Sequence, residues 1–369
     1  MGRRILPARA AMPSLLSKLL SNIAISQPPR LLPSTEGKGD QWMGTLSPAN
    51  SAPPRDGVLD GFRVVLAVMV LALHAGSEAV GEGAYLTVNG LFRIAVPVFF
   101  IMNGYYFSKA CTSRATFLSW LKKAAGIYAF WMVLYLPCYL HPQALSGMTA
   151  WAMLFATVVM GYHHLWYMSG LICAGILLYC LRKQASARLA AMAAILFVMG
   201  VCLQYCRVYH NFSSSLLQNI VALNWMSRNF LFFGFPFLCA GFLIARHAWR
   251  PRSRAAMVSV AAAALLLVLL EAHANYLLQG ATKKGFDMVF ALALAAPACF
   301  MAALHAPPHG SMLASRMSSA VYFIHPACLA LGVYWGWQDW GSLTLAGLFL
   351  SLLASLPLML LARRWRYIL

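Results

Sequence analysis

Long apolar runs separated by short polar segments fill the chain from residue 58 to its end. Most of them approach the ~20 residues that an α-helix needs to cross a bilayer. The runs lie at residues 58–75, 91–108, 124–140, 165–181, 188–206, 229–245, 256–278, 286–304, 317–336 and 342–361. The pattern therefore predicts an all-α fold, a polytopic membrane helix bundle of about ten transmembrane helices.

Two segments do not fit this pattern. Residues 1–56 are rich in Pro, Ser, Gly and basic residues, which predicts a disordered basic cytoplasmic tail before a membrane domain at 57–369. The apolar segment from Trp151 to Met160 is shorter than a typical span. If it crosses the bilayer, Arg182 and Arg188 lie outside; if it only dips in or lies at the interface, they lie inside.

The distribution of basic residues favours the second arrangement. With ten spans, Lys and Arg collect on the side of both termini, which the positive-inside rule assigns to the cytoplasm. The exceptions among the 28 Lys and Arg residues are Arg93, Arg207, Arg228, Lys283 and Lys284. We therefore expect both termini in the cytoplasm.

The composition agrees with a bilayer and removes other classes of protein. Hydrophobic residues make up 61% of the 369 residues and charged residues 10%, which a soluble chain of this length could not hide in one core. The formal net charge of +19 arises largely from clusters between apolar runs, so we interpret them as membrane anchors and expect no nucleic-acid partner. The nine Cys are scattered without zinc-site spacing, so no metal site is predicted.

Ionisable residues inside spans usually face a partner or a cavity, so they indicate function. In the first span Arg63 and His74 are eleven residues apart, which places them on one face about 16 Å apart along the helix. Asp60 lies three residues before Arg63, where it can pair with the guanidinium. A snorkelling Arg and a structural His are the alternative interpretation. Two polar groups on one face at opposite depths favour the functional one.

Further polar residues fall at the outer depth of His74. They are Arg93, His163, His164, Arg228 and Glu271. Glu271 needs a partner inside the bilayer, and we expect Arg93 or Arg228 to supply it. Nearby aromatic residues are also typical of the interfacial belt, which is the alternative interpretation for them. The shared depth predicts an active site, and lateral proximity stays open.

The same residues form a set of motifs. The motifs are Asp60-x-x-Arg63 followed by ten residues and His74, Arg93-x-x-x-Pro97-x-Phe99-Phe100-x-x-Asn103-Gly104-Tyr105, His164-Leu165-Trp166-Tyr167, Arg228-Asn229-x-x-Phe232 with Gly234-x-Pro236-Phe237, and Ser319-x-x-Tyr322-x-Ile324-His325-Pro326. With them the chain resembles the acyltransferase-3 family of polytopic membrane O-acyltransferases, over residues 58 to about 361. Asn103 departs from the family pattern, which has Ser before the Gly. No soluble esterase-like domain follows the last span, so the membrane domain or a partner is expected to handle the acceptor.

The resemblance implies transfer of an acyl group, commonly acetyl, from cytoplasmic acyl-CoA to a hydroxyl of an envelope glycan, lipid-linked sugar or similar acceptor. It also implies an integral protein of the bacterial inner membrane. No bound cofactor is expected, because acyl-CoA is the co-substrate. In the family the Arg and His of the first motif are taken to serve donor binding and catalysis, and they correspond to Arg63 and His74 here.

Elementary chemistry is consistent with these roles. Arg63, with Asp60 and Asn103, is predicted to bind the donor, because a guanidinium can hold a phosphate bidentately. His74 is the predicted general base, Arg93 or Arg228 steadies the oxyanion, and Glu271 orients a basic partner. The residues predicted to bind the acceptor are His164, Trp166, Arg228, Asn229 and His325. Direct transfer and a covalent acyl-His intermediate both fit this set.

Two other functions stay open at this point. One is a permease or exporter for a small polar solute, although paired spans broken by Gly or Pro, typical of such transporters, are absent from the sequence pattern. The other is a binding module for a solute such as serine, because the chain is also similar to the membrane part of vancomycin-resistance serine racemases. Acyl transfer from acetyl-CoA by the purified protein separates the enzyme from both.

Overall fold

The computed structural model describes residues 57–76, 81–140, 147–210, 212–214, 221, 223–279, 283–304 and 312–369. The predicted tail at 1–56 lies outside the described residues. In the described part every regular element is helical. The helices, numbered along the chain, are α1 Gly57–Ala75, α2 Glu82–Asn89, α3 Ala95–Ala110, α4 Arg114–Leu134, α5 Leu136–Tyr139, α6 Met148–Met160, α7 Trp166–Leu181, α8 Ser186–Tyr209, α9 Phe235–Arg246, α10 Arg254–Leu278, α11 Leu292–Ala303, α12 Met312–Tyr334 and α13 Trp340–Arg364.

Tight helical turns join several of these helices. A 3₁₀ turn at Leu91–Ile94 makes α2 and α3 one apolar rod, Glu82–Ala110. Another 3₁₀ turn, His163–Leu165, precedes α7, and a π-helical turn, Phe230–Gly234, precedes α9. Such irregular turns are frequent at functional sites.

The membrane bundle predicted from the sequence is confirmed. Among the described residues, seven helices are long and apolar enough to cross a membrane, and three shorter apolar helices accompany them. Each of the predicted spans falls on a helix. The side on which the termini lie and the exact number of crossings stay predictions.

Helix α6 is the element whose crossing was in question. Its 13 residues reach about 20 Å, less than the ~30 Å hydrocarbon core of a bilayer. None of its side chains is buried, and Trp151 and Phe155 are exposed. Length alone does not decide whether α6 crosses, because α11, which falls on a predicted span, has only 12 residues. The expectation that α6 does not cross stays a prediction.

Glycines bring α3 and α9 into close contact at the centre of the bundle. A Cβ at Gly104 would lie 1.9 Å from the carbonyl oxygen of Leu238, and one at Gly241 would lie 1.9 Å from that of Ile101. No residue with a side chain fits in either place, so small residues set this helix spacing. The contact fixes the position of Asn103, which precedes Gly104 on α3.

Helix α12 packs against both α1 and α13 and carries the last motif of the chain. The Ser318 hydroxyl donates to the carbonyl oxygen of Arg63 at 2.9 Å, and the Trp340 indole of α13 donates to that of Ala72, also at 2.9 Å. These bonds hold the two ends of α1 in register with its neighbours. Arg63 and His74 therefore face α12 from opposite ends of α1.

Candidate active site

A cavity of about 940 Å³ opens at the end of the bundle that carries Arg63, the end predicted to be cytoplasmic. Its lining combines polar and basic side chains with aromatic ones. The polar and charged lining residues include Asp60, Arg63, Asn103, Tyr105, Lys109, Lys123, Arg250, Ser315, Ser318 and Ser319. Four cationic side chains thus face one acidic side chain, so the cavity suits an anionic ligand.

Arg63 is held in this cavity by several contacts. Its Nη1 donates to Asp60 Oδ1 at 2.9 Å and to Ser315 Oγ at 3.0 Å, and its guanidinium lies 5.3 Å from the ring centroid of Tyr106. The predicted pairing of Asp60 with Arg63 is therefore confirmed. Both residues line the cavity, which is where donor binding would need them.

The other cations of the cavity were interpreted from the sequence as membrane anchors only. Arg250 donates from Nη2 to the Tyr105 hydroxyl at 2.8 Å, which holds it at the cavity wall. Lys109 follows Asn103 on α3, and Lys123 lies on α4. Their clustering was visible in the sequence, but only the fold shows that the α3–α4 region and the α9–α10 connection converge on one opening.

Aromatic side chains close the cavity at the end opposite its opening. Tyr167 and Tyr322 line it there, both nearly buried, with ring centroids 5.5 Å apart. Asn103 Nδ2 donates to the Tyr167 hydroxyl at 2.6 Å and to the carbonyl oxygen of Phe99 at 2.9 Å. Asn103 thus belongs to the cavity, as predicted for donor binding.

Four histidines from three elements meet beyond this aromatic floor. The ring centroid of His74 lies 4.8 Å from that of His163 and 5.1 Å from that of His325, which in turn lies 5.2 Å from His164. The floor and the cluster are joined because the Tyr322 hydroxyl donates to the carbonyl oxygen of His164 at 2.8 Å. The lateral proximity that the sequence left open is therefore present for His74, His164 and His325.

His163 was not assigned a role from the sequence, yet it is next to His74. Its backbone has φ of +48°, in the left-handed region that non-glycine residues rarely occupy, and its side chain is exposed. Such strain persists where the surroundings over-determine the conformation, often at functional sites. It leaves His163 between His74 and the surface.

His325 has a defined tautomer. Its Nδ1 lies 2.7 Å from the carbonyl oxygen of Tyr322, which can only accept, so Nδ1 carries the proton and Nε2 presents a lone pair.

Despite the histidine cluster, no group of three or more His, Cys, Asp or Glu in the described residues is arranged to hold a metal ion.

An ion cluster of Arg93, Arg228 and Asp287 lies outside the lining of the cavity. Arg93 and Arg228 both contact Asp287 Oδ1, at 2.5 and 3.4 Å. Asn89 accepts a second bond from Arg93 at 2.7 Å, and Arg228 lies 5.0 Å from the ring centroid of Trp166. One carboxylate thus serves two guanidinium groups, and the site keeps an excess of positive charge.

The partner of these arginines corrects the sequence prediction. Glu271 was expected to pair with Arg93 or Arg228 and to act in catalysis, but Asp287 takes that place. Glu271 instead accepts from the Tyr205 hydroxyl at 2.6 Å and from the backbone N–H groups of Phe290 and Ala291 at 2.7 and 2.8 Å. These N–H groups open α11, so the contacts of Glu271 are those of a helix cap and give its catalytic assignment no support.

Asn229 also has a structural explanation for its place in the motif. Its Oδ1 accepts from the backbone N–H groups of Leu231 and Phe232 at 2.8 and 2.9 Å, and its Nδ2 donates to the carbonyl oxygens of Trp225 and Met226. The amide is used in capping the π-helical turn. The predicted role of Asn229 in acceptor binding stays a prediction. An Asn directly before a helical segment is a sequence signal of such a cap, and the sequence analysis did not use it.

Comparison with known proteins decides the family. A family model described as an acyltransferase domain matches residues 56–364. The chain belongs to the acyltransferase-3 family. Membership supports a membrane acyltransferase in general. The matched range includes the histidines, the ion cluster and nearly all of the cavity lining.

Curated relatives of this family member carry other names. The chain is 27% identical to a serine/alanine racemase of Enterococcus gallinarum over 312 residues, 78% of this chain and 39% of the relative. It is 26% identical to an amino-acid racemase of Enterococcus faecalis over 152 residues, 39% of this chain and 21% of the relative. The chain thus spans at most about two fifths of these relatives. No solved structure matches it.

Proposed function

We propose that this protein transfers an acyl group, with acetyl as the first candidate, from cytoplasmic acyl-CoA to a hydroxyl of an envelope glycan, lipid-linked sugar or similar acceptor. The observation that carries the proposal is the arrangement along α1. Arg63 lies in a cationic cavity at one end of the helix, and His74 lies in a histidine cluster at the other. The family supplies the reaction class.

The cavity suits the donor on grounds of charge and shape. Coenzyme A carries several phosphates, and Arg63, Lys109, Lys123 and Arg250 supply the opposite charge. Arg63 presents a planar fork whose position is set by Asp60 and Ser315. With the nucleotide held among these cations, the pantetheine arm points along α1 towards the aromatic floor.

His74 is the base in this proposal. The acceptor oxygen attacks the thioester carbon, its proton passes to His74, the carbon–sulfur bond breaks, and the CoA thiolate leaves towards the cytoplasm, where it is protonated. Arg228 lies 5.0 Å from the ring centroid of Trp166, two residues after His164. It is the guanidinium best placed to hold the acceptor near the histidines, with Arg93 behind it on Asp287.

The relatives support one second candidate. Proteins named serine/alanine racemase and amino-acid racemase share this domain, which favours a binding module or permease for a small polar solute such as serine. In that case the histidines and Arg228 would contact the amino acid, and the donor cavity would have no substrate.

One experiment separates the two candidates. The purified protein in detergent is incubated with acetyl-CoA labelled in the acetyl group, with and without an envelope extract, and both free CoA and ester-bound label are measured. We expect CoA release that depends on the extract, with the label in a hydroxylamine-sensitive ester. Saturable binding of labelled serine without binding of acetyl-CoA would instead support the second candidate.

A further inference from the structure

Two tyrosines line the closed end of the cavity, and they differ in what their hydroxyl protons can do. Tyr167 and Tyr322 are exposed by only 6% and 7%. The Tyr322 hydroxyl lies 2.8 Å from the carbonyl oxygen of His164, which can only accept. The proton of Tyr322 is therefore committed to the backbone.

The hydroxyl proton of Tyr167 has no such acceptor, as the hydrogen bonds of Asn103 show. The same side-chain atom of Asn103 lies 2.9 Å from the carbonyl oxygen of Phe99 and 2.6 Å from the Tyr167 hydroxyl. Because a carbonyl only accepts, that atom must be the amide nitrogen, whose two hydrogens serve the two oxygens. The Tyr167 oxygen therefore accepts, and its own proton has no acceptor among the described residues.

A buried donor at the end of a cationic cavity has a clear counterpart in an acyl-CoA. The phosphates match the cations at the mouth, and the acyl end carries a thioester carbonyl that can accept a hydrogen bond. Apart from Tyr167 the closed end offers mostly apolar surface, including Phe99 and Phe323. A hydroxyl with a free proton is the group that would distinguish this carbonyl from a hydrocarbon chain.

We propose that the Tyr167 hydroxyl donates a hydrogen bond to the carbonyl oxygen of the donor thioester. Tyr167 thereby recognises the acyl group, and Asn103 is the positioning residue that turns the phenol proton towards the cavity. The proposal rests on the proposed use of acyl-CoA. The same bond strengthens as negative charge develops on the carbonyl oxygen, because a donor aimed at that oxygen stabilises the transition state more than the ground state.

The test compares two ligands that differ in the carbonyl alone. Acetyl-CoA and S-ethyl-CoA, the thioether without the carbonyl oxygen, are titrated into the purified protein by calorimetry. We expect acetyl-CoA to bind about 3- to 10-fold more tightly, the usual contribution of one neutral hydrogen bond. In Tyr167→Phe the two affinities should become equal, with that for S-ethyl-CoA unchanged.

Tyr322→Phe is the matched control, since it removes a hydroxyl from the same floor whose proton is already used. It should keep the preference for acetyl-CoA. Equal affinities for the two ligands in the unmodified protein would overturn the assignment, and this result does not depend on the folding of any variant. A preference for acetyl-CoA that survives Tyr167→Phe would also overturn it. If neither ligand binds the unmodified protein, the proposed donor itself is wrong, which is a separate outcome.

Discussion

His325 and His74 lie with their ring centroids 5.1 Å apart, although 250 residues separate them along the chain. His325 is oriented by its bond to the Tyr322 carbonyl, which leaves its Nε2 as an acceptor. A neutral imidazole in contact with His74 can share a proton that His74 takes up. In the proposed mechanism, the histidine cluster, and not His74 alone, would therefore take up the proton.

His74→Gln should abolish acyl transfer while leaving acetyl-CoA binding largely intact. A general base contributes a rate factor on the order of a hundred to ten thousand, and the cations proposed to hold the donor line the cavity at the other end of α1. Turnover and calorimetric affinity are measured on the same preparation. His273→Gln is the control, because His273 pairs with Glu82 apart from the cluster and should transfer normally. Near-normal turnover of His74→Gln would remove the base from the mechanism.

Arg63→Lys should weaken acetyl-CoA binding about tenfold without loss of the folded protein. Lysine keeps the charge but not the planar fork that contacts Asp60 and Ser315 and is proposed to hold a phosphate. Affinity is read by calorimetry, and size-exclusion elution in detergent reports folding. Arg182→Lys is the matched variant, since Arg182 stacks on Tyr179 away from the cavity lining. An unchanged affinity in Arg63→Lys would reduce Arg63 to an anchor.

Asp287→Asn should destabilise the protein by about 3 kcal/mol, the low end for a buried ion pair, because two partly buried guanidinium groups lose their shared carboxylate. The midpoint of thermal unfolding in detergent measures the change. Asp339→Asn offers a comparison at an exposed helix cap, where the amide oxygen still accepts from Ser342 and little change is expected. A midpoint as high as that of the unmodified protein would mean that Arg93 and Arg228 find other partners.

The fold was readable from the sequence because run length alone distinguishes spanning helices. The histidine cluster was partly readable: spacing put Arg63 and His74 on one face, and the motifs supplied His164 and His325. His163 was seen at the right depth but received no role, since nothing in the pattern indicates its left-handed backbone. Depth follows from counting residues along a helix, whereas the direction in which each helix faces depends on packing.

Asp287 and Tyr167 show what counting along spans leaves out. Asp287 is the second residue of the predicted run 286–304 and lies five residues before α11, and the sequence analysis gave it no role. Tyr167 belongs to a motif that the sequence showed, but its proposed role as a hydrogen-bond donor depends on which side-chain atom of Asn103 contacts its hydroxyl. Contacts between distant segments decide both cases, and the sequence pattern carries no such information.

Glu271→Gln tests the largest correction to the sequence prediction. The two carboxylate oxygens of Glu271 accept from Tyr205 and from two backbone N–H groups at the start of α11. Glutamine has an amide nitrogen in place of one oxygen, and this nitrogen cannot accept, so part of the cap is lost. We expect a loss of about 1–3 kcal/mol in the free energy of unfolding and an unchanged transfer rate per folded molecule. Thermal unfolding gives the first quantity, and turnover normalised to the amount of protein that binds acetyl-CoA gives the second. Ser253→Ala, which removes the cap of α10, is the matched variant: it should lower stability to a similar degree with the same turnover. If Glu271→Gln instead reduced turnover a hundredfold at unchanged stability, the carboxylate would belong to the chemistry after all, and the helix-cap explanation of its contacts would be wrong.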